Sequence, residues 1–165
     1  MNVGVILGFF DGVHAAHRAV IECAVNNAKT DYTYLLTFED SPAKYFGIQY
    51  EYILNREDSY RKAEELGVNH IVKMDFSKIA CLKPEEYLKF VVDKYHPISV
   101  TTGFNHTFGL NKSGNAEYLR SVAPKYGFEY KCVQPQKMCD GKIISSSLIK
   151  KLLKEARVKE ANKLL

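Results

Sequence analysis

The stretch LGFFDGVHAAH (Leu7–His17) sets two histidines three residues apart, directly after an apolar run and a glycine-containing turn. Residues at that spacing share one face of a helix, about one turn apart. At a helix N-terminus the first N–H groups are unpaired and the dipole is positive, so His14 and His17 there complete a site for phosphate oxygens. The plainer reading has His14 capping the helix and His17 merely exposed. A zinc site is the weakest reading, because the carboxylate of H-E-x-x-H is missing, and no metal ligand is assigned. A second group lies far along the chain in IISSSLIKKLL (Ile143–Leu153), where Ser145, Ser146 and Ser147 precede an amphipathic run. One serine is enough to cap a helix. The other hydroxyls, with Lys150 about a turn further on, either hold a polyphosphate from the side opposite the histidines or do no more than extend the cap.

Two further stretches supply apolar and polar contacts. In TTGFNHTFGLNKSGN (Thr101–Asn115), Asn105 can read the edge of a heterocycle and Phe104 or Phe108 can stack on one, or Phe108 is plain core. In TFEDSPAKYFG (Thr37–Gly47), Phe38, Tyr45 and Phe46 form an apolar wall suited to an aromatic ligand. Glu39 and Asp40 beside them either accommodate Mg²⁺ or form a solvated loop. The glycines do not spell G-x-G-x-x-G. GLNKSGNA (Gly109–Ala116) imitates P-loop spacing without the closing K-[ST], which argues against a Walker-type ATPase.

These residues need elements to position them, and the periodicity supplies an alternation. Strands are expected at Val3–Phe9, Asp31–Phe38, His70–Met74, ISVTTGF and FEYKCVQ. Helices are expected from His14 to Ala28, from an Asn55 cap to a Gly67 stop, from Pro84 to just before Pro97, up to an end or interruption near Pro124, and after the serines. Strands alternating with helices imply right-handed crossovers and an α/β, Rossmann-like, doubly wound, mostly parallel five-stranded sheet. Ligands of such sheets sit beyond the carboxyl ends of the strands, and residues 8–17, 37–46, 103–114 and 141–150 are all expected to start at such ends.

Composition bounds the rest. A chain of 165 residues suits one domain, with about two-thirds of its unfolded surface buried. The net charge of +4 suits an anionic small ligand, and without a basic stripe it argues against nucleic acid. No apolar run approaches the roughly 18 residues that span a bilayer. The N-terminus lacks a basic leader before Asp11, and four scattered cysteines without a C-x-x-C pair suit free thiols in a reducing compartment, so a cytoplasmic location is expected.

GFFDGVHAAH resembles the G-x-F-D-G-x-H-x-G-H signature of the nucleotidylyltransferase superfamily, specifically the adenylyltransferase module of bacterial FAD synthetase. GFNHTFGLNKSGNAEYL, IISSSLIKKLL and TFEDSPAKYF are similar to that family's G-x-[DN]-[FY]-x-F-G, I-S-S-T-x-I-R and T-F-x-P-H-P segments, in family order, from residue 3 to 165. The resemblance implies one FMN adenylyltransferase domain over 1–165, lacking the riboflavin kinase module that bifunctional members carry or a separate protein supplies. It implies transfer of AMP from ATP to FMN with Mg²⁺, giving FAD and pyrophosphate. Under it His14, His17, Ser146, Ser147 and Lys150 hold the ATP phosphates. Gly8, Phe9, Phe10, Asp11 and Ser145 belong to the nucleotide-binding motifs. Asn105 and Phe108 contact the flavin, and Phe38 lines the shared pocket. Ala16 stands where the signature has glycine, Lys150 where it has arginine, Asp40–Ser41 where it has Pro-His, and His106 where an aromatic residue is usual. Cytidylyltransferase, nicotinamide mononucleotide adenylyltransferase and non-catalytic nucleotide-binding readings stand as alternatives.

Overall fold

A computed structural model describes residues 1–165. Five strands, β1 (Val3–Leu7), β2 (Tyr32–Phe38), β3 (His70–Met74), β4 (Pro97–Gly103) and β5 (Glu129–Val133), form one sheet in the order β3-β2-β1-β4-β5. Every pairing is parallel. The chain winds outward from β1 to β3 and then returns to place β4 against the other side of β1. That reversal opens a crevice at the carboxyl ends of β1 and β4, where doubly wound sheets bind ligands.

Alternation along the strands feeds two cores. Val5, Leu7, Leu36 and Val100 face α4 (Pro84–Tyr95) and α5 (Ala116–Tyr126), with Leu88, Val91 and Leu119 packed on them. Ile6 and Leu35 point the other way, to Val20, Ile21 and Ala24 of α1 (Ala15–Val25) and Ala63 of α3 (Arg56–Glu65). The caps of α3 follow the sequence: the Asn55 side chain accepts from the Asp58 N–H at 2.8 Å, and Gly67 sits past the end at φ 100°. The helix expected to end or break near Pro124 ends two residues past it. The proline lies in the last turn of α5, and the helix runs on to Tyr126 before a left-handed Gly127 stops it. An additional short helix, α2 (Pro42–Tyr45), follows β2, and there the Ser41 hydroxyl accepts from the Ala43 N–H at 3.2 Å.

After β5 the chain does not enter a helix directly. Residues 134–145 first fold back on themselves, with Lys137 bridged to Ile143. This detour brings α6 (Ser146–Lys154) across the start of α1, while α7 (Val158–Asn162) closes a satellite core of Ile144, Ile149, Leu152, Ala161 and Leu164. Ala15 and Ala16 pack against that core, and the Ala15 N–H donates to the Leu164 carbonyl at 2.8 Å. The fully buried Ile149 is the anchor of α6. Ile149→Ala is expected to cost about 2–5 kcal/mol. Denaturant unfolding reads that loss, and an unchanged midpoint would show α6 to be held some other way.

Candidate active site

The turn between β1 and α1 is strained and tightly held. Phe10 (φ 55°) and Val13 (φ 45°) adopt left-handed backbone conformations, although both are bulky and Val13 is β-branched. The Phe10 ring folds back over Gly8, where a Cβ would meet it at 2.6 Å, so only glycine fits. Asp11 is 2% exposed and fully engaged. It accepts from the Tyr50 hydroxyl at 2.9 Å and the Ile53 N–H at 3.0 Å, and it pairs with the Lys150 ammonium at 3.4 Å. Lys150 also sits 3.6 Å from the centre of the Tyr50 ring. Burial, and then the bond to Asp11, push the Tyr50 hydroxyl pKa up, so it stays protonated as a donor. The structure turns Asp11 inward and sets Lys150, expected as a phosphate clamp, against Asp11 and Tyr50, so neither is among the residues that line the polar cleft described next. A buried carboxylate captures the nearest cation, because leaving it unpaired costs more than the pair does.

Beside this turn opens a polar cleft of about 310 Å³, lined by Gly8, Phe9, Phe10, His14, Ala16 and His17 on one side and by Ser145, Ser146 and Ser147 on the other. A file of rings runs through it: Phe10 lies 5.1 Å from His17, and His17 stacks on His14 at 3.7 Å and 19°. His14 Nε2 lies 3.1 Å from the Ser146 Oγ, joining the two ends of the chain. His14 is the N-cap of α1 but makes no capping bond with its side chain. Ser145 alone caps α6, accepting from the Leu148 N–H at 3.2 Å, which frees Ser146 and Ser147 for the cleft. The N–H groups of Ala16, His17, Ser146 and Ser147 have no protein acceptor, so two helix N-termini aim unpaired donors at one space.

Both imidazoles are neutral at physiological pH. Burial, opposed by the Asp11 charge, brings the His14 pKa down to about 4. Burial, then His14 and Arg56, hold His17 well below its ordinary value. The pair therefore offers hydrogen bonds, and positive potential comes from the helix ends and nearby cations.

A second, more apolar cavity of about 580 Å³ lies across the sheet edge, walled by Leu36, Phe38, Tyr45, Phe46, Phe76 and Phe108. The two spaces share Gly8, His106 and Thr107. The pair expected to contact one flavin is divided: Phe108 and Phe38 line the apolar cavity, whereas Asn105 lines the polar cleft. The reason is local. The 103–107 turn leaves Asn105 at the polar cleft and sends Phe108 back toward α4, where it packs on Tyr87 at 5.5 Å. His106 stacks on Phe108 (5.7 Å, 18°), and burial lowers its pKa to about 4. The P-loop-like glycines are structural, since Gly109 presses on Pro84 and Gly114 lies under the Phe108 ring.

Asp40 pairs with Lys44 and accepts from the Tyr52 hydroxyl, which leaves it a loop staple in place of the Pro-His of the resembled motif. No group of three His, Cys, Asp or Glu side chains is arranged to hold a metal ion, and Asp11 has its partners already. Sequence reasoning missed Arg56, Tyr50 and Thr107. Arg56 reads as a surface residue of a charged helix, and no local pattern distinguishes it; only its reach to the ends of β1 and β2 does.

A family model for FAD synthetase matches residues 2–148. A bifunctional riboflavin kinase/FMN adenylyltransferase of Listeria monocytogenes is 32% identical over 171 residues, covering 100% of this chain and 54% of that protein. An FAD synthetase of the same organism is 26% identical, covering 96% of this chain and 66% of that one. The chain thus spans about half the length of the bifunctional relatives from Listeria monocytogenes and Bacillus subtilis. Among solved structures, one described as a macrolide-efflux protein from Streptococcus pneumoniae superposes with a TM-score of 0.86 at 31% identity, over 99% of this chain and 54% of that one. No helix of the present chain is long and apolar enough to cross a membrane. Pantothenate synthetase from Thermus thermophilus shares the fold at 13% identity, with a TM-score of 0.62 over 90% of this chain and 61% of that one. A signature turn, two facing helix N-termini and a match over most of the chain agree: this chain belongs to the FAD synthetase family.

Proposed function

We propose that residues 1–165 catalyse transfer of AMP from ATP to FMN, giving FAD and pyrophosphate. The observation that carries this reading is the junction of two unlike spaces at Gly8, His106 and Thr107: a polar cleft under paired helix N-termini, and an aromatic cavity on its far side. The first suits a triphosphate and the second an isoalloxazine, with the reacting phosphates meeting between them. A phosphate oxygen of FMN bonds to the α-phosphorus of ATP, the bond from that phosphorus to the bridging oxygen breaks, and the electron pair leaves with pyrophosphate. The attacking phosphate is already ionised at neutral pH, so no general base is needed. Catalysis is alignment of two anions plus stabilisation of the charge that develops. His14, held by Ser146, and His17, stacked on it, act as neutral hydrogen-bond donors to phosphate oxygens, alongside the free N–H groups of α1 and α6. Ser145 keeps α6 in place and Ser147 adds a hydroxyl. Phe38 and Phe108 embrace the flavin, and Asn105 contacts the nucleotide side. Lys150 and Asp11 hold the two walls together. No cluster of three His, Cys, Asp or Glu side chains is arranged for a resident Mg²⁺, and Mg²⁺ enters as the counter-ion of ATP. A riboflavin kinase, in the same polypeptide or another, supplies the FMN. All four cysteines are free thiols, which supports a reducing, cytoplasmic setting.

Chromatography of ATP, FMN and Mg²⁺ incubated with the protein should show FAD. His17→Ala should lose at least about 100-fold in turnover, equivalent to roughly 2.7 kcal/mol of transition-state stabilisation, with a cooperative melt retained. Wild-type turnover in that variant would remove the phosphate role. Stabilisation of the fold by nicotinamide mononucleotide or glycerol phosphate, but not by FMN, would redirect the assignment.

Ala16 lines the cleft where the resembled signature has glycine. Ala16→Gly should hold or improve ATP affinity by calorimetry while costing about 0.5–1 kcal/mol of helix stability. A clear loss of affinity would refute crowding by that methyl.

Acid should weaken the fold through the histidines. Unfolded His14 titrates near its ordinary 6.5 and the folded residue near about 4, so between those values the unfolded chain binds more protons. Stability is therefore complete above pH 6.5 and falls as pH drops toward 4. Melting temperatures from pH 7.5 to 4.5 should decline, and His14→Gln should flatten the decline. Equal slopes in the two proteins would show that His14 is not buried neutral.

A further inference from the structure

Arg56 is a half-buried cation without a carboxylate partner. It opens α3, and its guanidinium lies between two aromatic rings, 4.3 Å from the centre of Phe9 and 4.8 Å from that of Tyr60. Its N–H groups donate to the Phe9 carbonyl at 3.1 Å, the Phe38 carbonyl at 2.8 Å, the Thr37 hydroxyl at 3.0 Å and the Tyr60 hydroxyl at 3.3 Å. All four acceptors are neutral, so the charge is solvated by the protein without being cancelled. Serving acceptors on two strand ends at once needs the planar fork of arginine, which a lysine ammonium cannot reproduce.

The bonds converge on one peptide. The Phe9 carbonyl accepts from Arg56 and also from the Thr37 hydroxyl, at 2.8 Å. In a planar trans peptide the carbonyl and the following N–H point in opposite directions. Tying the Phe9 carbonyl to β2 and α3 therefore turns the Phe10 N–H the other way, to the side on which Phe9 and Phe10 line the polar cleft. That N–H has no acceptor in the protein. Phe10 itself is left-handed, a conformation that a bulky residue keeps only where its surroundings over-determine it.

We propose that Arg56 is a positioning residue for the transfer reaction: by fixing the Phe9–Phe10 peptide it presents the Phe10 N–H to an oxygen of the phosphorus under attack. Arg56 does not line the cleft and acts through the turn; its uncompensated charge adds to the positive potential that the neutral histidines do not provide. The inference rests on the reading of the polar cleft as the ATP side of an adenylyltransferase.

Steady-state FAD formation by Arg56→Lys and Arg56→Met, beside wild type, tests it. Arg56→Lys keeps the charge and loses the fork; Arg56→Met loses both. Both should lower kcat by about tenfold or more, with KM for FMN staying within about twofold, since Arg56 meets the aromatic cavity only through the Phe38 carbonyl, which the Tyr60 hydroxyl also holds at 3.2 Å. A kcat within about twofold of wild type in either folded variant overturns the proposal, and so does a loss confined to KM for FMN. Should Arg56→Met fail to melt cooperatively, Arg56→Lys carries the test alone. Should wild type make no FAD, the adenylyltransferase reading fails by itself. Calorimetry with a non-hydrolysable ATP analogue then decides the role of Arg56: a loss of about tenfold in affinity in Arg56→Lys supports it, and unchanged affinity overturns it.

Discussion

A 3.1 Å contact between the His14 imidazole and the Ser146 hydroxyl, 132 residues apart in sequence, is the point through which the site is assembled. Each partner sits at the N-terminus of a helix, where backbone donors are unpaired and the dipole is positive. Two positive helix ends facing one cleft repel each other, and an anion between them would be held by both. Something else must hold the walls together, and the buried Asp11 does so. It ties the β1–α1 turn to Tyr50, Ile53 and Lys150, and so to α6 and to the segment that precedes α3. The satellite core around Ile149 adds the apolar part of the same attachment.

The histidines divide charge from shape. Burial keeps both neutral, so they contribute direction and hydrogen bonding but no net charge. Cations stand behind the walls: Lys150 in the Asp11 pair, and Arg56 under the Phe9 peptide. The arrangement suits a reaction between two anions, where ground-state attraction that is too strong would slow product release. Preoriented N–H groups stabilise developing charge without reorganising.

The acceptor side follows a different logic. Phe38, Phe76, Tyr45 and Phe46 meet edge to face around a space of about 580 Å³, and Phe46 is left 64% exposed. An aromatic wall open on one side gains most when a planar ligand covers it. Its seam with the polar cleft at Gly8 is possible because that residue has no side chain where the Phe10 ring folds back.

Much of this was legible in the residues themselves. Period-two and helical patterns locate all five strands and the main helices, because those patterns follow from burying one face of each element. The Asn55 cap and the Gly67 stop are local chemistry and are read locally. The four motifs mark residues that line the two spaces, since each leaves a strand or opens a helix. Tertiary structure alone decided what each residue does there. Lys150 lies one turn past three serines, yet it turns to Asp11 because a buried carboxylate left without a cation is costly. Asn105 and Phe108 are three residues apart, yet they face different spaces because the turn between them reverses direction at the sheet edge. Arg56 looks like an ordinary surface charge, and only the parallel register of β1 and β2 brings the Phe9 and Phe38 carbonyls within reach of one guanidinium. Sequence spacing sets which groups are available; long-range burial and competition for partners decide where they point.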